Sequence, residues 1–331
     1  MLMIREILPN IYTFEVVLPN SPLKALNSYI IKGKDRSLLF DTGYNRPESK
    51  EALLSGLSEL KLEPKDVDVV LTHLHADHTG LINLFVEAGS KVYAGNVDGH
   101  LTNQMATGEY WQLLESFLPI YGIEENEITI DDNPGYRFKL DQPFNFIPLE
   151  IGGSFKFEDY SFEILDLIGH TPGHIGLYDQ DKQIIFSADT VLDPMTPNIS
   201  YWGPNHPNIL KSYIETLGKL KDLDIQWCMA THRQLIQNPN QRIDEIIEHH
   251  YDRMQEILDV MKPDQTYSTR EIAANITWRI RANGWDEFPK GQKWFALGET
   301  LVHLEFLVDT GHLCVKENNQ TLYFSKLKDK I

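Results

Sequence analysis

What this 331-residue chain has little of narrows its class. Two cysteines, Cys228 and Cys314, are too few for a disulfide scaffold. Both sit in apolar strand-like contexts and read as buried free thiols of a reducing compartment. No apolar run approaches the roughly 20 residues that a membrane-crossing helix needs, and Met1-Leu2-Met3-Ile4-Arg5-Glu6 holds no signal-peptide core. The expected location is cytoplasmic, with no membrane partner. Cations are scarce: 30 Lys and Arg stand against 48 Asp and Glu, a formal net charge of −18. Nucleic-acid affinity draws on clustered Lys and Arg, so no DNA partner is expected. Internal repeats and low-complexity segments are missing as well. With 42% hydrophobic residues the chain can bury a full core, and its length exceeds one ordinary domain.

What is present is concentrated. Thr72-His73-Leu74-His75-Ala76-Asp77-His78-Thr79-Gly80 places four potential metal ligands within six residues, directly after the strand-like run Val67–Leu71. Imidazole and carboxylate are ligands that zinc, iron and manganese accept, and His-x-His can aim two rings at one ion. A single histidine would more simply be satisfied by backbone carbonyls; three with an aspartate describe a metal site. Three further motifs follow strand-like runs in the same way: Gly169-His170-Thr171-Pro172-Gly173-His174, Phe186-Ser187-Ala188-Asp189-Thr190 and Met229-Ala230-Thr231-His232. Metal ligands at the carboxyl ends of successive strands account for all four.

That order of motifs resembles the metallo-β-lactamase superfamily of binuclear hydrolases, and Phe40-Asp41-Thr42-Gly43 matches a further motif of that family. The resemblance covers roughly residues 5 to 235. It implies an α/β fold, an αββα sandwich with the metal centre at one edge between the sheets. It also implies two divalent ions, zinc on ligand type, with iron or manganese as alternatives. His73, His75 and His170 would hold the first ion, Asp77, His78 and His232 the second, and Asp189 would bridge them. Asp41 would orient ligands without binding metal, and His174 would pack beside the site. A hydroxide bridging the ions would be the nucleophile, with Asp77 later protonating the leaving atom. Two departures stand out: Ala188 precedes the bridging Asp where the family usually has Gly, and Thr231 and Arg233 flank His232 in place of glycines. Arg233 is a candidate contact for a substrate anion, weighed against an ordinary surface ion pair.

The same comparison narrows the activity. True dinuclear metallo-β-lactamases generally lack the His78 equivalent and the bridging Asp. Diiron flavoprotein reductases carry Glu where His75 stands. Persulfide dioxygenases use one iron, for which Asp77, His78 and His232 would be superfluous. Acyl-homoserine lactonases place Tyr where this chain has Leu192, and the short span from Asp189 to His232 leaves no room for a nuclease cap domain. The expectation is a hydrolase of a small-molecule ester, thioester or lactone with a site similar to glyoxalase II. An endoribonuclease of the same superfamily is the main alternative, and a DNA-binding regulator a further one.

Two segments exceed the catalytic frame. An insertion between about 95 and 160 carries a helix-like run from Tyr110 to Leu118 that Pro119 ends, and reads either as a lid or as a helix packed outside a sheet. Asp193 to Trp202 reads as helix and loop, with Tyr201 and Trp202 as pocket-wall candidates. The chain divides into a catalytic domain, 1–237, and a C-terminal domain, 238–331. In the latter, Asn238-Pro239 starts a helix that Pro263 stops, and Ser268-Thr269-Arg270-Glu271 is a capping box. A third helix runs from near Trp294 to Val308. The strands Leu313–Lys316 and Thr321–Phe324 follow, joined by residues 317–320. Three helices and a hairpin resemble a winged helix, but Glu299, Glu305 and Asp309 lie on the helix that would enter a DNA groove. An architectural role is expected, and a homodimer is left open.

Overall fold

The computed structural model describes residues 4–331; Met1, Leu2 and Met3, part of the amino-terminal reading, lie outside them. Alternation along the strands generates the layers. In the strand Val67–Leu71, Val67, Val69 and Leu71 face one apolar cluster and Val70 faces another. Leu39 likewise opposes Leu38 and Phe40 in Ser37–Phe40, and Ile185 opposes Ile184 and Phe186 in Ile184–Ala188. All these side chains are buried, so both faces of each strand are covered, as near-continuous apolar strands require.

Three apolar clusters therefore mark three interfaces between layers. The helices Pro47–Glu59 and Ile82–Glu87 pack Leu53, Leu57, Ile82 and Phe85 on the outer face of the first sheet. Between the sheets, Tyr29, Phe40 and Val70 meet Phe162, Phe186 and Met229, with Phe40 stacked on Phe186 at 3.8 Å between centroids. The outer face of the second sheet receives Leu210, Tyr213 and Leu217 from the helix Ile209–Lys221. Helix, sheet, sheet, helix is the order the resemblance implied.

Among the described residues the first sheet has seven strands in sequential order, from Arg5–Leu8 to Ile147–Leu149. Its first three pairings are antiparallel and its last three parallel. The second sheet has five strands, with Ile184–Ala188 and Trp227–Ala230 parallel at one side. Parallel neighbours bring their carboxyl ends to one edge, so the loops after Phe40, Leu71, Gly95, Ala188 and Ala230 become available to build a common site.

The C-terminal region contains the helices Pro239–Val260, Thr269–Ala273 and Lys290–Asp309. Asn238 and Ser268 cap the first two through their side chains, the second in a full capping box with Glu271. The hairpin Leu313–Asn318 and Thr321–Lys326 is longer than its sequence suggests, because Asn319 and Gln320 alone turn the chain, at φ 49° and 68°. A third strand, Thr266–Ser268, pairs with the hairpin and carries too few residues to show periodicity. The helix Lys290–Asp309 buries residues around its whole circumference from Ala296 to Leu304, with Leu297, Leu301, Leu304 and Leu307 in the cluster shared with the second sheet.

Two further expectations change. Asp193 to Trp202 has no helix; Pro194 and Pro197 remove backbone donors and disfavour helical residues before them. The insertion is more than an outer helix on a sheet: Ala106, Leu140 and Phe144 join the cluster on the outer face of the first sheet, and the rest packs elsewhere. Its helices Asn96–Thr107 and Glu109–Ser116 meet at Gly108, held at φ 87°, and Trp111, Tyr121 and Ile128 join the same cluster as the C-terminal helices. Glu127 then accepts from Arg270 Nε at 2.7 Å, Trp285 Nε1 at 2.5 Å and Lys293 Nζ at 3.2 Å, fastening the insertion to the C-terminal region.

Candidate metal centre

The strand ends deliver the candidate ligands to one place. His73, His75, Asp77 and His78 follow Val67–Leu71, and the last two lie on the short helix Ala76–Thr79. His170 comes from the turn between Tyr160–Asp166 and Ile175–Asp179. Asp189 follows Ile184–Ala188, whose pairing with Trp227–Ala230 shifts register between Phe186 and Ala188. That irregularity sets Ala188 at φ 45°, in the left-handed region that favours glycine. His232 follows Trp227–Ala230.

Ligand atoms of His73, His75 and His170 form one group within 4.8 Å, and those of Asp77, His78 and His232 form a second. Asp189 reaches both: its Oδ2 lies 3.4 Å from His170 Nε2 and 3.6 Å from His78 Nε2, and its Oδ1 lies 3.6 Å from His232 Nε2. The donor chemistry fits divalent ions. The Nε2 atoms of His78, His170 and His232 are buried with no hydrogen-bond partner, an arrangement that is costly unless something accepts their lone pairs. His73 Nε2 and His75 Nδ1 approach to 3.1 Å. Burial holds His75 down to about 3 and His73 well below the usual imidazole range, so both are neutral, as ligation requires. Burial also works against charge on Asp77 and Asp189, but His78 and His232 overcome it and keep both carboxylates ionised, Asp77 at about 2.

The outer nitrogens are pinned. His78 Nδ1 meets Asp41 Oδ2 at 2.9 Å, His170 Nδ1 donates to the Asn198 carbonyl at 2.8 Å, and His232 Nδ1 to that of Ala25 at 2.9 Å. Asp41 also accepts from Thr72 N at 2.9 Å and Thr72 Oγ1 at 2.8 Å. The His174 ring stacks 4.7 Å from His73 and its Nδ1 lies 3.4 Å from Thr190 Oγ1. One residue belongs here that carries no motif. Asp98, fully buried, accepts from Leu74 N at 2.9 Å, Thr171 Oγ1 at 2.5 Å and Gly173 N at 2.6 Å. It ties the His73–His75 loop to the His170–His174 turn, and burial raises its carboxyl to about 6 against those donors. Its one sequence signal is position: it follows the strand Val92–Gly95 at the edge where the ligands lie.

The centre opens into a cavity of about 860 Å³. His75, Asp77, His170 and Asp189 form one end. Tyr201 and Trp202 line it, the Trp202 ring lying 5.7 Å from that of His75. The insertion supplies Trp111 and Phe117 as walls, and the C-terminal region supplies Trp278, Trp294 and Phe295. Arg233 stands apart: it lines a separate depression with Gln234 and Asn238, its guanidinium held by Met195 Sδ at 3.3 Å and by the Pro22 carbonyl. Neighbours that satisfy the guanidinium locally turn it from the cavity.

A family model described as the metallo-beta-lactamase superfamily matches residues 23–232, and the chain belongs to that superfamily. Its fold is that of the family's solved members. A metallo-beta-lactamase family protein from Thermus thermophilus superposes with a TM-score of 0.79 at 26% identity, over 97% of this chain and all of that one. A probable metallo-hydrolase of Bacillus subtilis (strain 168) is 22% identical across 91% of this chain and 93% of its own length. An acyl-coenzyme A thioesterase of Homo sapiens is 25% identical over 50% of this chain and 58% of its own length. The match to that thioesterase thus spans little more than half of the human protein.

Proposed function

We propose that the chain is a binuclear metal-dependent hydrolase, with zinc as the expected ion, that cleaves thioesters of apolar acyl groups. The observation that carries the reading is the union of two ligand groups, with Asp189 between them, at the end of an aromatic-walled cavity. Similarity to the human acyl-coenzyme A thioesterase supports the thioester over the ester or lactone. His73, His75 and His170 would hold one ion and Asp77, His78 and His232 the other, with Asp189 available to both. Divalent ions bound there would supply Lewis acidity toward a carbonyl oxygen and activate water at neutral pH. Trp202 and Tyr201 orient the reacting group by closing the wall beside His75. The aromatic far end takes the acyl chain and excludes water. Asp77, ionised at the cavity floor, would take the proton that the attacking water gives up and pass it to the leaving sulfur, while the water's hydroxyl joins the acyl carbon.

The C-terminal region, about 238–331, serves architecture and the pocket rim in this reading, without a nucleic-acid partner. The acidic balance and the interior position of Lys290–Asp309 support that. The test is a substrate panel with zinc-, iron- and manganese-loaded protein: short- and long-chain acyl thioesters, lactones, phosphodiesters and single-stranded RNA. Elemental analysis should find two ions per chain, with turnover greatest on a long-chain thioester. Turnover of RNA or phosphodiesters alone, or fewer than one ion per chain, would overturn the reading. Fluorescence anisotropy should show no binding to mixed-sequence duplex DNA at micromolar protein.

A further inference from the structure

The segment from Leu192 to Trp202 has almost no regular structure, yet it supplies the Asn198 carbonyl that fixes His170. With prolines at 194 and 197 it has no continuous backbone ladder to hold it, so its shape depends on what it touches. The C-terminal region grips it at three points. Arg242 donates to the carbonyls of Leu192 at 2.6 Å, Met195 at 3.0 Å and Pro194 at 3.3 Å. Glu299 Oε2 accepts from Asn198 Nδ2 at 2.8 Å. Gly298 lets the helix backbone lie directly on Ser200, since a Cβ there would stand 2.1 Å from Ser200 Oγ. Glu299 is held in turn: Arg253 Nε lies 3.8 Å from its Oε1, while Arg253 Nη1 donates to the Thr277 carbonyl at 2.6 Å and to Glu256 at 2.7 Å. The Arg253 guanidinium lies 4.5 Å over the Trp278 ring.

We infer that Glu299 is a positioning residue for the metal centre, acting through Asn198 on His170; the inference rests on the reading of His170 as a ligand. A ring nitrogen facing a carbonyl must carry the proton, so the Asn198 contact leaves the lone pair on His170 Nε2, the atom nearest Asp189. Simple packing would not call for a carboxylate at this depth, because burying one is costly unless its oxygens are engaged. Here one oxygen accepts from Asn198, the side chain whose backbone orients a ligand, and the other lies 3.8 Å from the Arg253 cation. The C-terminal region thereby completes the centre from behind, although it contributes none of the proposed ligands.

The experiment is cobalt(II) titration, followed by its visible absorption, on wild type, Glu299→Ala, Glu299→Gln, Asn198→Ala and the Glu299→Ala/Asn198→Ala double variant. Thermal unfolding of the metal-free proteins runs in parallel. Glu299→Ala and Asn198→Ala should each weaken binding about 10- to 100-fold at one of two sites. The double variant should lose no more than either single, since both break one link. Glu299→Gln should recover most of the affinity, its amide oxygen still accepting from Asn198. Asn198→Ala keeps the backbone carbonyl, so it tests the link even where Glu299→Ala does not fold. Wild-type affinity in folded single variants, or losses that add in the double variant, would overturn the inference. A wild-type protein that bound no cobalt would overturn the ligand reading itself, a separable result.

Discussion

The two ends of the cavity are built in different ways. At the metal end each outer imidazole nitrogen of His78, His170 and His232 has one partner between 2.8 and 2.9 Å, and Asp41 and Asp98 each gather donors from loops distant in sequence. At the far end Trp278, Trp294 and Phe295 are half-buried aromatics on the C-terminal region. Directional bonds fail as a unit when one partner is removed, whereas an apolar wall loses energy in proportion to the area lost. The metal end should therefore tolerate almost no change, and the far end should yield changes in preference.

The largest effect should come from the metal end itself. His75→Ala and Asp189→Ala should each lower thioester turnover by about a thousandfold or more, some 4 kcal/mol, while circular dichroism shows a folded chain. Near-full activity in either would remove that residue from the centre. Next comes Asp98→Asn, which puts an amide donor among three donors. Activity should fall about 10- to 100-fold, as for partners that orient ligands, with about 1–3 kcal/mol lost from stability. An unchanged kcat would show that the two loops hold themselves. At the far end, Phe295→Ala should raise KM for a long acyl chain about tenfold, roughly 1.4 kcal/mol, with kcat and short-chain turnover unchanged. Equal losses on short and long chains would erase the contrast between the ends.

The smallest effect on activity should be none, with the change confined to stability. Glu305 is a buried carboxyl near Tyr121 and Tyr201; its Oε2 has no partner, and burial raises it to about 7. Its folded pKa lies above the unfolded value, so folding takes up a proton between about pH 4.5 and 7. Its contribution to stability is present below that window, falls as pH rises through it, and levels off above. Glu305→Gln should flatten this dependence and stabilise the protein at pH 8, by up to about 3 kcal/mol. A thermal melt at pH 8 no higher than wild type would show that the carboxyl finds a partner.

Much of this is legible along the chain because the chemistry is local. The runs before His73, Asp189 and His232 are strands with both faces buried, and that requires apolar residues at nearly every position, while Tyr160–Asp166 before His170 alternates buried and exposed residues as a half-covered strand does. The caps at Asn238 and Ser268 are side-chain to backbone contacts within three residues, and they sit where their motifs predict. Asp193 to Trp202 departs from expectation because its apolar spacing says nothing about the backbone donors its prolines remove. Asp98 carries no signal of its own because a lone carboxylate in a helix looks like any solvated charge until the fold brings Leu74, Thr171 and Gly173 around it.

The amino-acid sequence by itself marked the strand-like runs and the candidate ligands, which are written residue by residue, and the layers came with the family resemblance that those motifs carry. Tertiary structure alone decided that Glu299 lies against Asn198, that Glu127 fastens the insertion to Arg270, Trp285 and Lys293, and that Arg233 turns from the cavity. Those pairings join residues about 100 or more positions apart. No local preference encodes such contacts: they form only when the buried faces of helices and sheets find one another, and the polar groups carried along then take the partners they meet.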